Sequence, residues 1–396
     1  MKTVYKAIIF IVLLFTTSCV QQNNTDIPSH INELENLTVY ESDIDRSAHL
    51  QFEKEQEFGD SSVQPLGQLW DVTIDRSGMI YIADSQQLNI KVYDPAGQLV
   101  STIGRRGQGP GEFQELSKIH VVGNTLFVVD RNQQRIHLFS TSDQKHEESI
   151  RIAENRDEFQ ELEGTYLSEV FVRNDQAFLV KFSYTTLPEN IKDWDKYNGE
   201  NYFYLLSSDG DISSRQLFQS QSTYEVMISF GGRRTGMPFE FYGKPLTAIS
   251  KDNRIYHAWS EDFLIKEYET DGEYQQASYY PFEKAPFEIE SSFSGASDTF
   301  IQEAEKSMEF PDTLPVLNDL LIDDENRIWV STIVEDFNFY EWWVLEASGE
   351  LITTLEWPRD EPIEVIKNGK LYTRQTDEET GLERIVRYRV EFEEVE

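Results

Sequence analysis

The 396-residue chain has a single cysteine, Cys19, and that scarcity removes two chemistries. No intramolecular disulfide can form, and Cys19 stands at the end of a leader-like segment, so no internal thiol is left as a nucleophile. Histidine is scarce too: His30, His49, His120, His137, His146 and His257. Only His120 falls on a strand expected to line the centre of the fold, so a three-histidine zinc site is not visible. There is no Gly-x-Ser-x-Gly nucleophile elbow, and the Ser-Asp and Asn-Asp pairs lack EF-hand spacing. Positive charge is in short supply, 35 Lys and Arg against 71 Asp and Glu, for a net charge of −36. That balance argues against nucleic acid as a partner and against electrostatic docking on anionic lipid. The acids are spread along the chain, as on a solvated surface.

The apolar run Ala7–Phe15 has nine residues, too few to span a bilayer. With Lys2 and Lys6 before it and Thr16-Thr17-Ser18-Cys19 after it, the run reads as a secretory signal. Ser18-Cys19 resembles a bacterial lipobox, with Thr16 where Leu is usual. The expected organisation is a signal peptide over 1–18, a lipidated Cys19 opening a flexible tether over 19–36, and one folded domain over 37–396. The protein is therefore expected to cross the inner membrane and to sit lipid-anchored in the cell envelope, at the outer membrane. The lipid would be its only membrane contact.

Six tight turns dominate the remainder: Asp75-Arg76-Ser77-Gly78, Gly123-Asn124, Asn174-Asp175, Asp252-Asn253, Asp324-Glu325-Asn326 and Asn368-Gly369. Each lies between two runs of strand-like alternation, and Asn, Asp and Gly tolerate the left-handed backbone of a hairpin. A third strand follows in every unit. In four units it ends in a further turn: Asp94-Pro95-Ala96-Gly97, Ser208-Asp209-Gly210, Thr270-Asp271-Gly272 and Ala347-Ser348-Gly349. Six such units predict an all-β fold, a six-bladed β-propeller of four-stranded antiparallel blades. The sixth unit lacks a fourth strand, which the N-terminal segment Leu50–Phe58 is expected to supply, closing the ring. Aromatics make up 13% of the chain, and those in strands, such as Trp329, Trp342, Trp343, Tyr202 and Phe203, are expected to pack between blades.

Ile80-Tyr81-Ile82-Ala83-Asp84, Ile90-Lys91-Val92-Tyr93 and the loop Gly104-Arg105-Arg106-Gly107-Gln108-Gly109-Pro110-Gly111-Glu112-Phe113 resemble an NHL-type propeller repeat. The segments 126–130 and 135–139 repeat the strand part. With the lipoprotein-like start, the chain resembles the six-bladed propeller lipoproteins of Bacteroidetes and their relatives. The resemblance implies a fold and a location and names no reaction.

Connection parity locates the expected binding face. The first turn of every blade and most of the third turns are tight, while the long insertions at 104–116, 183–201, 219–243, 281–317 and 332–340 all fall at the other edge. One of them, Ser297–Met308, carries a helical pattern with Phe300, Ile301, Ala304 and Met308 on one side. Two glycine-flanked arginine pairs on this face, Arg105-Arg106 and Arg233-Arg234, are the candidate contacts for an anionic glycan or peptide. Pairing with the chain's own acids is the plain alternative. The leading expectation is a binding or scaffold module that needs no cofactor and whose ligand meets the long-loop face. The competing expectation is a calcium-dependent, lactonase-like hydrolase with Asp71, Glu169, Asn318, Asp319 and Glu361 ringing Ca2+ at the channel mouth.

Overall fold

The computed structural model describes residues 27–41, 46–59, 65–186, 198–223, 225–230, 233–239, 241–293, 296–307 and 309–395. Side chains at 185–186, 198, 225–230, 233–238, 298, 307 and 394 are outside that description. Cys19 and the signal segment also lie outside the described residues.

The chain is a six-bladed propeller of four-stranded antiparallel sheets. Blade one holds strands Leu69–Ile74, Ile80–Asp84, Asn89–Tyr93 and Leu99–Ile103, counted from the channel outward. Blades two to five follow with inner strands Lys118–Val122, Tyr166–Val172, Pro245–Ile249 and Leu317–Ile322. Blade six runs outward from Ile363–Lys367 through Lys370–Thr376 and Glu383–Glu394 to Ala48–Phe58. The predicted closure is therefore present: Ala48–Phe58 pairs antiparallel with the last strand of the chain.

The first turns work as the sequence suggests. Asp75 accepts hydrogen bonds from the amides of Ser77 (2.8 Å) and Met79 (3.0 Å). Asp323 does the same for Glu325 (2.9 Å) and Arg327 (2.8 Å), and also accepts from the Trp329 indole (3.0 Å). Asn253, Asn326 and Asn368 take left-handed backbone with φ of 65°, 66° and 55°; in blade three that role falls to Gln176, φ 64°. These turns also join neighbouring blades. The Asn174 amide donates to Asn253 Oδ1 (2.7 Å), Lys251 to Asn326 Oδ1 (3.0 Å), and Asn368 to Asp324 Oδ1 (3.0 Å). Lys367 Nζ completes the chain of contacts on the Ile74 carbonyl (2.7 Å).

The third turns make a second set of joints. Gly210 (φ 93°) and Gly349 (φ 92°) lie against the outer strands of the preceding blades, where an added Cβ would come within 2.0 Å of the Arg151 carbonyl oxygen and 1.9 Å of Ser278 Oγ. Between blades the core divides into six apolar clusters, one per interface. Trp329, Trp342, Trp343 and Phe203 are buried in them, as expected of packing aromatics.

The N-terminal segment departs from expectation. Residues 27–36 are folded against the outside of blade four, not held as a free tether. Ile31 is fully buried beside Leu264, Ala277 and Tyr279, and Leu37–Val39 adds a parallel fifth strand to that blade. Apolar Ile27, Ile31, Leu34 and Leu37 in a short stretch explain the docking. Tyr40 then stacks on Tyr280, with ring centroids 4.8 Å apart, before the chain reaches blade six.

The insertions after blades three and four add a hairpin, Glu225–Phe230 with Arg233–Pro238, and the helix Asp298–Ser307. Ala304 is buried on the inner side of that helix, in a cluster with Phe241, Phe293, Leu314 and Ile333. The helix falls within one residue of its predicted limits.

Candidate functional site

The inner strands begin at the long-loop edge, and at that end their side chains form a ring of opposite charges. Four inner strands carry β-bulges there: at Leu69/Asp71, Leu167/Glu169, Leu317/Asp319 and Ile363/Val365. A bulge breaks the strict two-residue alternation and re-aims a side chain, which is how polar groups come to a rim. Asp71, Glu169, Asp319 and Glu364 thereby surround Lys118, whose ammonium is stabilised first by Asp71 and then by the other three.

Each acid is already engaged. Asp71 Oδ2 accepts from the Ile119 amide (2.7 Å), and its Oδ1 lies 3.6 Å from Lys118 Nζ. Glu169 pairs with Lys181 (2.7 Å) and Glu364 with Arg374 (2.8 Å). Asp319 Oδ1 accepts from the Leu320 amide (2.8 Å), while its neighbour Asn318 accepts from Lys244 Nζ (3.2 Å). Burial pushes the carboxyls of Asp71 and Asp319 above their ordinary range against the pull of Lys118 and Lys244. Burial also pushes Glu364 up to about 7. Lys118 also moves upward, because it sums the attraction of four carboxylates. His120, two residues further along the same strand, is held neutral. Burial, then Lys367 and Lys118, lower it to about 4.

The most exposed charge at this ring is cationic. The Lys118 side chain is 48% exposed, against 35% for Glu169, 14% for Glu364 and 12% for Asp71. Trp70 sits at the blade-one bulge, 48% exposed, with its indole N–H donated to the carbonyl of Ser117, the residue before Lys118 (2.9 Å). Tyr166, the first residue of the blade-three inner strand, is similarly exposed.

The residues expected from the sequence divide. Asp71, Glu169, Asn318 and Asp319 do meet at the channel end. Glu361 does not belong with them: its carboxylate accepts from Gln375 (2.7 Å) and its carbonyl from the Trp357 indole (2.8 Å). Glu364 stands in its place. Counting back four or five residues from five of the six first turns reaches Asp71, Lys118, Glu169, Asp319 and Glu364, so the signal is present in the sequence and Glu361 falls outside it. Each of these carboxylates already gives at least one oxygen to an ammonium, guanidinium or amide group, and among the described residues no group of three or more His, Cys, Asp or Glu could hold a metal ion.

Arg105 is committed as well. Its Nε and Nη2 both donate to Glu112 Oε1 (2.8 and 2.7 Å), while Glu112 Oε2 accepts from the amides of Gly109 (3.0 Å) and Gln108 (3.2 Å). These contacts, Gly109 first, hold the Glu112 carboxyl below its usual range. The Gly-Pro-Gly-Glu loop thus closes on itself. Arg106 is exposed, with its backbone bridged to Phe113. Arg233 and Arg234 lie on the inserted hairpin opposite Phe230 and Ser229, and their side chains are outside the described residues.

Residues 63–228 match a family model described as a six-bladed β-propeller, DUF5128. No curated protein matches the sequence. Among solved structures, the chain is similar to a member of the DUF4221 family from Bacteroides vulgatus: 9% identity, TM-score 0.52, covering 88% of this chain and 100% of that one. It is also similar to a Bacteroides fragilis protein inferred to be exported, at 14% identity, TM-score 0.47, covering 90% and 99%. A third is the calcium-binding protein regucalcin from Agrobacterium tumefaciens, at 11% identity, TM-score 0.43, covering 91% and 99%. At such identities the likeness concerns the fold alone. No helix among the described residues is long and apolar enough to cross a membrane.

Proposed function

We propose that the protein is a binding module of the cell envelope. It receives an anionic glycan or a carboxylate-bearing peptide at the channel end of its long-loop face, and is held at the membrane through a lipid on Cys19. The observation that carries this reading is the exposed Lys118 ammonium at this ring, with the exposed Trp70 indole hydrogen-bonded to the residue before it. The ammonium is held chiefly by the buried Asp71 carboxylate, and the Trp70 indole N–H is pinned to the Ser117 carbonyl. An aromatic face with a charged donor next to it suits a sugar ring or peptide plane bearing a carboxylate. The propeller gives the site a rigid frame, because neighbouring blades are joined through both sets of turns.

The test is a binding screen of uronate-bearing oligosaccharides and free-carboxylate peptides against the mature chain, repeated with Lys118→Met and Trp70→Ala. Any hit is expected to weaken about tenfold or more in each variant. Hits that bind both variants as tightly as the parent sink the channel reading. A calcium titration runs alongside, and a stoichiometric calcium signal would favour the hydrolase reading instead. For the anchor, Cys19→Ser is expected to move the protein from the membrane to the soluble fraction, and continued sedimentation with membranes would refute lipidation.

A further inference from the structure

Among the described residues six large apolar side chains are exposed, and three of them, Trp70, Tyr166 and Leu382, lie at the long-loop edge. Two of the three are linked to Lys118 by hydrogen bonds. The Trp70 indole donates to the carbonyl of Ser117, the residue before Lys118. The amide of Leu69, the residue before Trp70, donates to the carboxylate of Glu383, the residue after Leu382. The rim therefore runs from Leu382 on blade six through Trp70 on blade one to Lys118 on blade two.

Leu382 is presented by a closed loop. Asp377 donates its amide to the Leu382 carbonyl (2.9 Å), and its Oδ1 accepts from the Thr380 amide (2.8 Å) and hydroxyl (2.7 Å). The face is built up on the other side, over blades four and five, where the insertions 219–243 and 281–317 pack on each other around Phe241, Phe293 and Leu314. Over blades one and two the connections 85–88 and 131–134 are short. An extended ligand with one end at Lys118 therefore leaves over blades one and six.

We propose that the channel end takes the free carboxyl end of a peptide with apolar terminal side chains. This rests on the channel-end reading above and chooses between its two ligands. The Lys118 ammonium receives the terminal carboxylate, and the Trp70 ring and Leu382 receive the last side chains. Leu382 has no group to offer a sugar hydroxyl, and the indole N–H of Trp70 is already used. Asp71, Glu169, Asp319 and Glu364 around Lys118 disfavour a second carboxylate, so a single terminal charge fits better than an acidic polymer. Glu378 and Glu379, exposed on the Leu382 loop, favour a basic residue further up the peptide.

The test is calorimetric titration of the mature chain with the peptide Lys-Gly-Ala-Phe-Leu as the free acid, with its C-terminal amide, and with Lys-Gly-Ala-Gly-Gly as the free acid. The first is expected to bind about tenfold or more tightly than either control. Leu382→Ser is expected to weaken it by about fivefold or more with an unchanged melting temperature, and Lys118→Met to erase the advantage of acid over amide. Equal binding of acid and amide, or full-strength binding by Leu382→Ser, would overturn the proposal. So would failure of the parent chain to bind the free-acid peptide; a uronate oligosaccharide still bound through Lys118 would then leave the channel-end reading standing. Peptide binding that Lys118→Met leaves intact would overturn both.

Discussion

The two edges of this propeller are built by opposite rules. At the turn edge most residue types follow from backbone need: Asn and Gly at left-handed corners, and carboxylates that tie off the amides they reach. At the long-loop edge, four bulged inner strands bring acids inward around one lysine, in an arrangement the backbone does not require. The first edge is a frame and the second is where side chains are free to serve a ligand. Substitutions at the turn edge should therefore be felt in stability, and those at the loop edge in binding and in the response to pH.

The largest expected effect comes from the frame's seam. Removing residues 1–59 takes away the outer strand of blade six, and thermal unfolding should lose its single sharp transition or drop by about 15 °C or more. Removing 1–26 should change little, and removing 1–41 should fall between, because it strips the docked segment from blade four and leaves the seam intact. If 1–41 and 1–26 behave alike in a melting scan, the contacts of Ile31 and Leu37 carry no stability.

Next come the turns themselves. Gly210→Ala should destabilise by about 3 kcal/mol, since it combines left-handed strain with a backbone clash, while Gly123→Ala meets nothing within 4 Å and should cost only about 1 kcal/mol. Denaturant midpoints for the two variants decide the matter, and equal values would remove the close inter-blade approach from the account.

Acid should act through the frame. His120, His137 and His257 are lowered to about 4, 4 and 3, in each case by burial first. The unfolded chain takes up these protons near pH 6.5 and the folded chain resists them, so stability should fall as pH drops from 6.5 toward 4, by roughly 2 kcal/mol or more in total. Glu364 has the opposite sign: its raised carboxyl favours the folded state below about 4.5 and loses that contribution as pH rises through about 7. His257→Gln should flatten the acid limb measured by urea unfolding; an unchanged slope would mean His257 is not the group responsible.

The smallest stability effect belongs to the loop edge. Lys118→Met should lower stability by about 1 kcal/mol at pH 8, where the surrounding carboxyls are ionised and water screens the half-exposed ammonium, and by less at pH 5, where Glu364 is neutral. A loss that grows toward pH 5 would contradict the ring of acids around Lys118.

Most of the frame is legible in residue order. Asn326 announces its turn because few residue types accept φ 66°, and Leu50–Phe58 announces its partner because blade six is one strand short without it. The ring of charges is legible only in part. Asp71 and Asp319 follow from the topology. Lys118 does not, because a lone lysine on an inner strand reads as an ordinary exposed charge until four acids surround it. Glu364, and not Glu361, faces the ring because the bulge at Ile363/Val365 shifts the alternation there. The docked segment 27–39 is hidden in the sequence, since a Gln- and Asn-rich stretch precedes it and masks the few apolar residues that hold it down. Arg105 shows the limit of composition: its charge is plain, and its partner Glu112, seven residues on, decides its role.

The seam in blade six has a consequence in time. Phe58 pairs with Ile385, 327 positions later, so these are among the most distant partners in the chain. Local hairpins form in microseconds, whereas a contact across such a span waits on a large loss of chain entropy. The first blade strand made by the ribosome is then the last to find its place. Until it does, Glu383–Glu394 keeps one unpaired edge, on which a second chain can add its own copy of Ala48–Phe58.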